Sequence, residues 1–346
     1  MNSIDFNTIS EAEKTLAISR LTALWAFVEA GLGGMLHAFK LPFTGLIVGG
    51  MAILMITLLV HFTENKASKF FKCLLVVLII KAIVSPHSPL PAYFAVTFQA
   101  VFGFLFYRIF QINSLSILSV SVVAMLESAV QKLIILTVFF GVSFWNSINK
   151  LIGFIFSQFG MVAHNGEMWI VYLYLGIYFS GGIIIGISIK GIMKDIFSLR
   201  KMPEMVYLNE PVITKVALKK KFNGIFIITT FLILISIYFL LFIPDSKLAW
   251  VNISKSIVYT ITVLIIWYIF LNPILMKLLH KFFKQKENKY QQEVNEAMIL
   301  LPALKGISAA AWKFSATKKG LQRLRYFTSL LVYWTLTDSF SKTTAA

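Results

Sequence analysis

The sequence is short of charge, cysteine and proline. Of its 346 residues 14% are charged, 15 are acidic, 9 are proline, and cysteine occurs once, at Cys73. A soluble globular domain carries about 25% charged residues, so this shortage excludes a soluble enzyme. A lone thiol closes no intramolecular bridge, which excludes a disulfide scaffold and leaves the redox compartment unread. Catalytic signatures are missing as well. There is no nucleophile elbow, HExxH, paired-carboxylate site or kinase set. The expectation is a protein that is not an enzyme and uses no cofactor and no metal.

What is abundant is apolar surface. Hydrophobic residues make up 58% of the chain, 32 of them phenylalanine, and the mean hydropathy is +0.79. The 32 basic residues outnumber the acidic ones to give a formal charge of +17. In a soluble protein that balance would point to nucleic acid. In a polytopic chain it is what retention of basic loops in the cytoplasm produces, so membrane lipids and no nucleic acid are expected as partners.

Apolar runs bounded by charge or by Pro/Gly punctuation predict about eight spans: 21–39, 44–62, 73–85, 91–110, 114–142, 168–189, 224–243 and 256–277. The first has no convincing small-residue cleavage site and reads as a retained span. The third is short and runs into Ser85-Pro86-His87-Ser88-Pro89-Leu90-Pro91, where prolines forbid continued helix, so a short or re-entering element is predicted. On alternate sides of eight spans, 26 basic residues fall on the side of the amino terminus and four on the other, while Lys81 and Lys132 lie within spans. Both termini are therefore expected in the cytoplasm of an inner-membrane protein.

The fold class expected is all-α and polytopic. The domains are 1–192, a six-span membrane bundle; 193–223, a cytoplasmic linker with Pro203, Pro211 and Lys219-Lys220-Lys221; 224–277, a two-span hairpin; and 278–346, a basic amphipathic cytoplasmic tail. In the tail Lys305, Lys313, Lys318, Lys319, Arg323 and Arg325 are interleaved with Leu304, Ile307, Trp312, Phe314, Leu321, Leu324 and Phe327. That pattern suits a helix on an anionic leaflet or a docking face for a soluble partner. Residues 143–167 read as an amphipathic helix on the outer surface or a lid.

Four ionisable residues fall within spans: Glu29, Lys81, Glu127 and Lys132. Each costs roughly 2.5–3.5 kcal/mol at a span centre on insertion scales, so each needs a partner or a cavity. Either they pair with one another, or they line a polar pocket. Glu127 and Gln131 share one helical face, with Gln99 on a neighbouring span. The substrate-binding set expected is Glu127, Gln131, Gln99, Lys81 and Lys132. Ala26 and Ala30 place small side chains four apart, as Gly34 and Ala38 do, which lets another helix approach closely, from a partner subunit or from the same bundle. The cluster Gly31-Leu32-Gly33-Gly34 predicts a weakened, unwound turn. His37 and His87 fit no ligand spacing.

Over about residues 15–192, the chain resembles the substrate-binding membrane subunits, or S components, of energy-coupling factor vitamin transporters. The likeness lies in the six spans, in Ala26-xxx-Ala30 at the place of that family's AxxxA, and in the Gly-rich and Phe43-Thr44-Gly45 turns. The resemblance implies a pocket in the outer half of the bundle for a small vitamin-like molecule, docking of a transmembrane coupling subunit at Ala26 and Ala30, and energy from a separate cytoplasmic ATPase. Glu29 inside the AxxxA segment departs from the family pattern, as do the added hairpin and tail. Thr317-Lys318-Lys319-Gly320 is faintly similar to the Ala-Arg-Gly-like signature of the coupling subunit. The function expected is a membrane transport component. The alternative is a non-transport scaffold that recruits a cytoplasmic partner through its basic tail.

Overall fold

The computed structural model describes residues 10–33, 44–85, 88–160, 166–197 and 249–337, and the described residues contain helices and turns but no strand. The first helix, α1 (Glu11–Phe27), opens with a capping box. The Ser10 hydroxyl accepts from the Glu13 amide, and the Glu13 carboxylate accepts from the Ser10 amide at 2.8 Å, so two orphan donors of the first turn are satisfied. The helix then widens into a π-turn at Val28–Leu32. The glycines foreseen as an unwound turn thus loosen the helix by one residue per turn instead of breaking it.

Helices α2 (Thr44–Phe62) and α3 (Ala67–Val84) are joined by a tight turn, where Glu64 and Asn65 take φ of 53° and 57°. This left-handed region suits Asn65 and strains Glu64. The Glu64 carboxylate is held there by Lys14 at 2.6 Å and Lys66 at 2.8 Å. Helix α3 reaches back to Ala67, so it is a full 18-residue helix and not the short element expected at 73–85. Lys69 and Lys72 ended the apolar run without ending the helix, because lysine is a good helix former.

Helix α4 (Leu90–Phe110) starts with Pro91 in its first turn, where a missing N–H costs nothing. One face buries Tyr93, Val96, Gln99, Ala100, Gly103, Phe104 and Tyr107. The opposite face carries Phe94, Phe98, Phe102, Phe106 and Phe110, each ring 4.6–6.2 Å from the next. This five-ring ladder is open to the surroundings, with Phe94 and Phe110 exposed. The remaining helices are α5 (Ser114–Gln158), α6 (Gly166–Phe197), α7 (Ala249–Ile265), α8 (Asn272–Lys289), α9 (Gln291–Phe314) and α10 (Gly320–Leu336), with a second π-turn at Ile266–Leu271 between α7 and α8.

Packing divides the chain into two units, and the division is not the one expected at residue 193. The first unit joins 1–127, 178–212 and 280–346. Its core includes Leu21, Leu24, Trp25, Ile53, Leu54, Met55, Phe70, Phe104, Tyr107 and Trp334. The start of α5 meets the end of α6 at near contact, since a Cβ on Gly182 would fall 2.7 Å from Val122 Cα. Helices α9 and α10, expected as a surface tail, pack against α1 within this unit. Leu304 and Ile307 are buried as an apolar face should be, but Leu321 and Leu324 are exposed. The buried part of α10 lies further on, at 328–332 and 334–336. Arg325 fastens α10 to α6 through Asp195 at 2.8 Å and the Gly191 carbonyl at 3.1 Å.

The second unit joins 128–177 and 213–279. Here α5 bends at Gly141, whose φ of 63° and ψ of −161° only glycine adopts cheaply. Tyr259 packs its ring against Gly141 and donates its hydroxyl to the Val138 carbonyl at 3.1 Å. The helix expected at 143–167 is the continuation of α5 beyond this bend, as far as Gln158.

Six helical segments are long and apolar enough to cross a membrane: Gly45–Phe62, Leu90–Phe110, Ser114–Val142, Trp169–Phe197, Ser254–Lys289 and Gln291–Thr317. The chain is accordingly an all-helical integral membrane protein. Five of these coincide with expected spans, Gln291–Thr317 falls in what was read as tail, and the described parts of the expected spans 21–39 and 73–85 are not among the six. The expected span 224–243 and the linker from residue 198 on lie outside the described residues, as do His37 and His87, while 193–197 of the expected linker continue α6.

Candidate functional site

The π-turn lifts Glu29 out of regular helical register and buries it inside the first unit. There its carboxylate accepts from the Lys81 ammonium on α3 at 2.7 Å, across 52 residues of sequence. The two side chains are 3% and 5% exposed. Removing both charges from water costs several kcal/mol per ion, and attraction in a low-dielectric interior repays it only with good geometry. The pair meets that condition in distance. Lys81 Nζ also stands 5.8 Å from the centroid of the Tyr93 ring, within cation–π range.

Two buried polar groups in the same unit are unsatisfied. The hydroxyl of Tyr93, whose ring lies near Lys81, and the indole nitrogen of Trp25, four residues before Glu29 in sequence, have no hydrogen-bond partner among the described residues. An unmade buried hydrogen bond costs roughly 1–3 kcal/mol. The Tyr93 ring is fixed from its other side by Phe283 of α8, 5.9 Å away. Gln99, buried two turns further along α4 on the same face, has its amide beside Gly49. A Cβ at Gly49 would lie 3.4 Å from Gln99 Nε2 and 2.8 Å from Met125 Cε, so glycine there leaves the amide its room.

Of the expected substrate-binding residues, Lys81 and Gln99 are thus buried in the first unit, and Lys81 balances Glu29 instead of Glu127. Glu127 is half-buried at the edge of that unit, whereas Gln131 and Lys132 belong to the second unit, Gln131 half-buried and Lys132 exposed. The helical face shared by Glu127 and Gln131 therefore straddles the division between the units. Ala26 and Ala30 are 0% and 6% exposed. Ala26 continues the stripe of Thr15, Ser19 and Thr22, and on that stripe Ser19 bonds to Glu296 of α9. Both alanines thus lie buried within the first unit, where small side chains permit close helix approach.

Sequence reading passed over Tyr93, Trp25 and Arg20. The signal for Tyr93 was its place on the polar-bearing face of α4, three residues before Val96 and six before Gln99. No family model matches the chain, and comparison with curated proteins and with solved structures gives no match. The functional reading therefore rests on the geometry of this site.

Proposed function

We propose that this chain is a membrane transport component that takes a small polar solute at the Glu29–Lys81 pair. The observation that carries the reading is an ion pair almost wholly buried between two helices of a membrane protein, with the ring of Tyr93, whose hydroxyl is open, near Lys81 and the open indole N–H of Trp25 four residues before Glu29 in sequence. Buried charges are expensive, and a binding role is one reason for keeping them. A solute with a carboxylate or similar acceptor would take the Tyr93 and Trp25 donors and share the Lys81 ammonium, while Glu29 keeps the site neutral without it. The π-turn supports the same role, since such turns gather at functional sites.

The S-component resemblance belongs to this proposal in altered form. A partner ATPase would supply the energy, and α9 and α10 would take in cis the ground beside α1 that a coupling subunit holds in that family. The scaffold reading is weaker, because α9 and α10 bury much of their apolar surface within the first unit. The proposal puts both termini in the cytoplasm, on the asymmetry of basic residues in the sequence. A cysteine introduced at Lys319 in a Cys73→Ser background should resist an impermeant thiol reagent in intact cells.

Native mass spectrometry of the purified full chain tests the solute reading. The wild type should carry a small-molecule adduct after purification from its host, or gain one on incubation with a panel of vitamins and amino acids. The charge-balanced double variant Glu29→Gln plus Lys81→Met should lose it while remaining folded. An adduct that persists in the double variant, or no adduct under either condition, would overturn the proposal.

A further inference from the structure

At the charged end of the first unit, away from Glu29, α1, α3 and α9 enclose a cavity of about 310 Å³. Its floor is Thr22, Cys73, Val76 and Ala297, all buried, and its rim carries Lys69 and Lys72 from α3 with Glu293 and Glu296 from α9. That volume lies at the lower bound for small-ligand sites, about 300–1,000 Å³.

The charges on the rim are not equivalent. Lys72 and Glu293 form an ion pair with each other across the cavity. Among the described residues the carboxylate of Glu296 accepts only from neutral donors, Gln292 at 3.1 Å and Ser19 at 3.5 Å. Among them too, Lys69 has a single acidic partner, Glu11, at 3.9 Å and on the exposed surface. One wall thus offers a loosely engaged ammonium and the opposite wall a carboxylate with no cation on it, over an uncharged, partly apolar floor.

We infer that this cavity binds a zwitterion that carries an anionic group and a primary ammonium, of the kind found in an ethanolamine phospholipid headgroup or in free phosphoethanolamine. The anion goes to Lys69 and the ammonium to Glu296. A ligand with both an anionic group and an ammonium meets both open charges and leaves the Lys72–Glu293 pair intact. A simple anion would be repelled by Glu296, and a simple cation by Lys69. The primary ammonium is required because Glu296 needs an N–H to accept, and a quaternary choline offers none. The inference is independent of the transport reading, since it uses neither Glu29 nor Lys81.

The test uses the full chain in detergent. Native mass spectrometry with equal amounts of phosphatidylethanolamine, phosphatidylcholine and phosphatidylglycerol should show one phosphatidylethanolamine retained in preference to the other two. Equilibrium dialysis with radiolabelled phosphoethanolamine tests the soluble source. Binding in the first arm alone assigns a lipid, binding in the second alone a free solute, and binding in both the shared headgroup. Lys69→Met and Glu296→Gln, both on the exposed rim, should each weaken the bound arm about tenfold by removing one charge-assisted contact. Lipid retention without headgroup preference together with no phosphoethanolamine binding overturns the inference. So does preference that survives both substitutions. The wild-type selectivity alone decides the matter if either variant fails to fold.

Discussion

Arg20 and Leu336 stand at opposite ends of the sequence, yet the Arg20 guanidinium donates to the Leu336 carbonyl at 3.0 Å and, from the same nitrogen, to Thr337 at 3.0 Å. A helix ends with carbonyls that have no partner within it, and a cation placed there satisfies them and complements the dipole. Arg20 is itself buried, so α10 is capped by a residue of α1 inside the core. Replacing Arg20 with Met should destabilise the chain by about 2–3 kcal/mol, since charge-assisted bonds are lost and carbonyls left open. Thermal unfolding in detergent measures it. Arg20→Lys should recover part of the loss, and equal loss in both would assign the effect to shape alone.

The buried pair predicts a double-mutant cycle. Glu29→Gln or Lys81→Met alone should cost about 3 kcal/mol or more, because each strands the other charge in the interior. The double variant should be more stable than either single one. Additive losses in thermal unfolding would show that the two charges do not depend on each other.

Two glycines give opposite expectations. Gly182→Ala places a methyl 2.7 Å from the Val122 Cα and 3.1 Å from the Ser121 carbonyl oxygen, main-chain atoms that cannot step aside. It should destabilise by about 1–3 kcal/mol. Gly153 lies within α5 with nothing within 4 Å of a new Cβ. There alanine should be neutral or stabilise by up to about 1 kcal/mol through helix propensity. Comparing the two unfolding midpoints checks both.

Acid should loosen the turn between α2 and α3. Lys14 first, then Lys66, donate to Glu64 and hold its carboxyl down at about 2, from an ordinary 4.5. A carboxyl whose folded value is depressed contributes stability that is complete above its unfolded value and is lost as pH falls toward the folded one. The window is therefore pH 4.5 down to about 2. Glu64→Gln should flatten the pH dependence of the unfolding midpoint in that window and leave its slope near neutrality unchanged.

The helices were legible where a long apolar run carried few charges, as at α2, α4 and the first part of α5. Composition misled where charge and burial share a helix. In α9, Lys305 and Lys313 suggested a surface tail, although Val294, Ala297, Leu304 and Ile307 lie on a buried face. The Glu29–Lys81 pairing was one of the options open from the sequence, because four charges within spans had to be compensated. Which acid took which base was not legible, since that depends on how α1 and α3 face each other. The donors of Trp25 and Tyr93 were invisible for the same reason: an aromatic in a span reads as apolar until its neighbours are known.

The phenylalanine ladder of α4 has a consequence for the bilayer itself. From Phe94 to Phe110 there are sixteen residue steps, which at about 1.5 Å each span about 24 Å. The hydrocarbon core of a typical bilayer is about 30 Å thick, and the 21 residues of α4 are about as long, so the ladder lines roughly four fifths of that depth. Along it the acyl chains would meet a continuous row of flat, stiff rings in place of flexible aliphatic side chains.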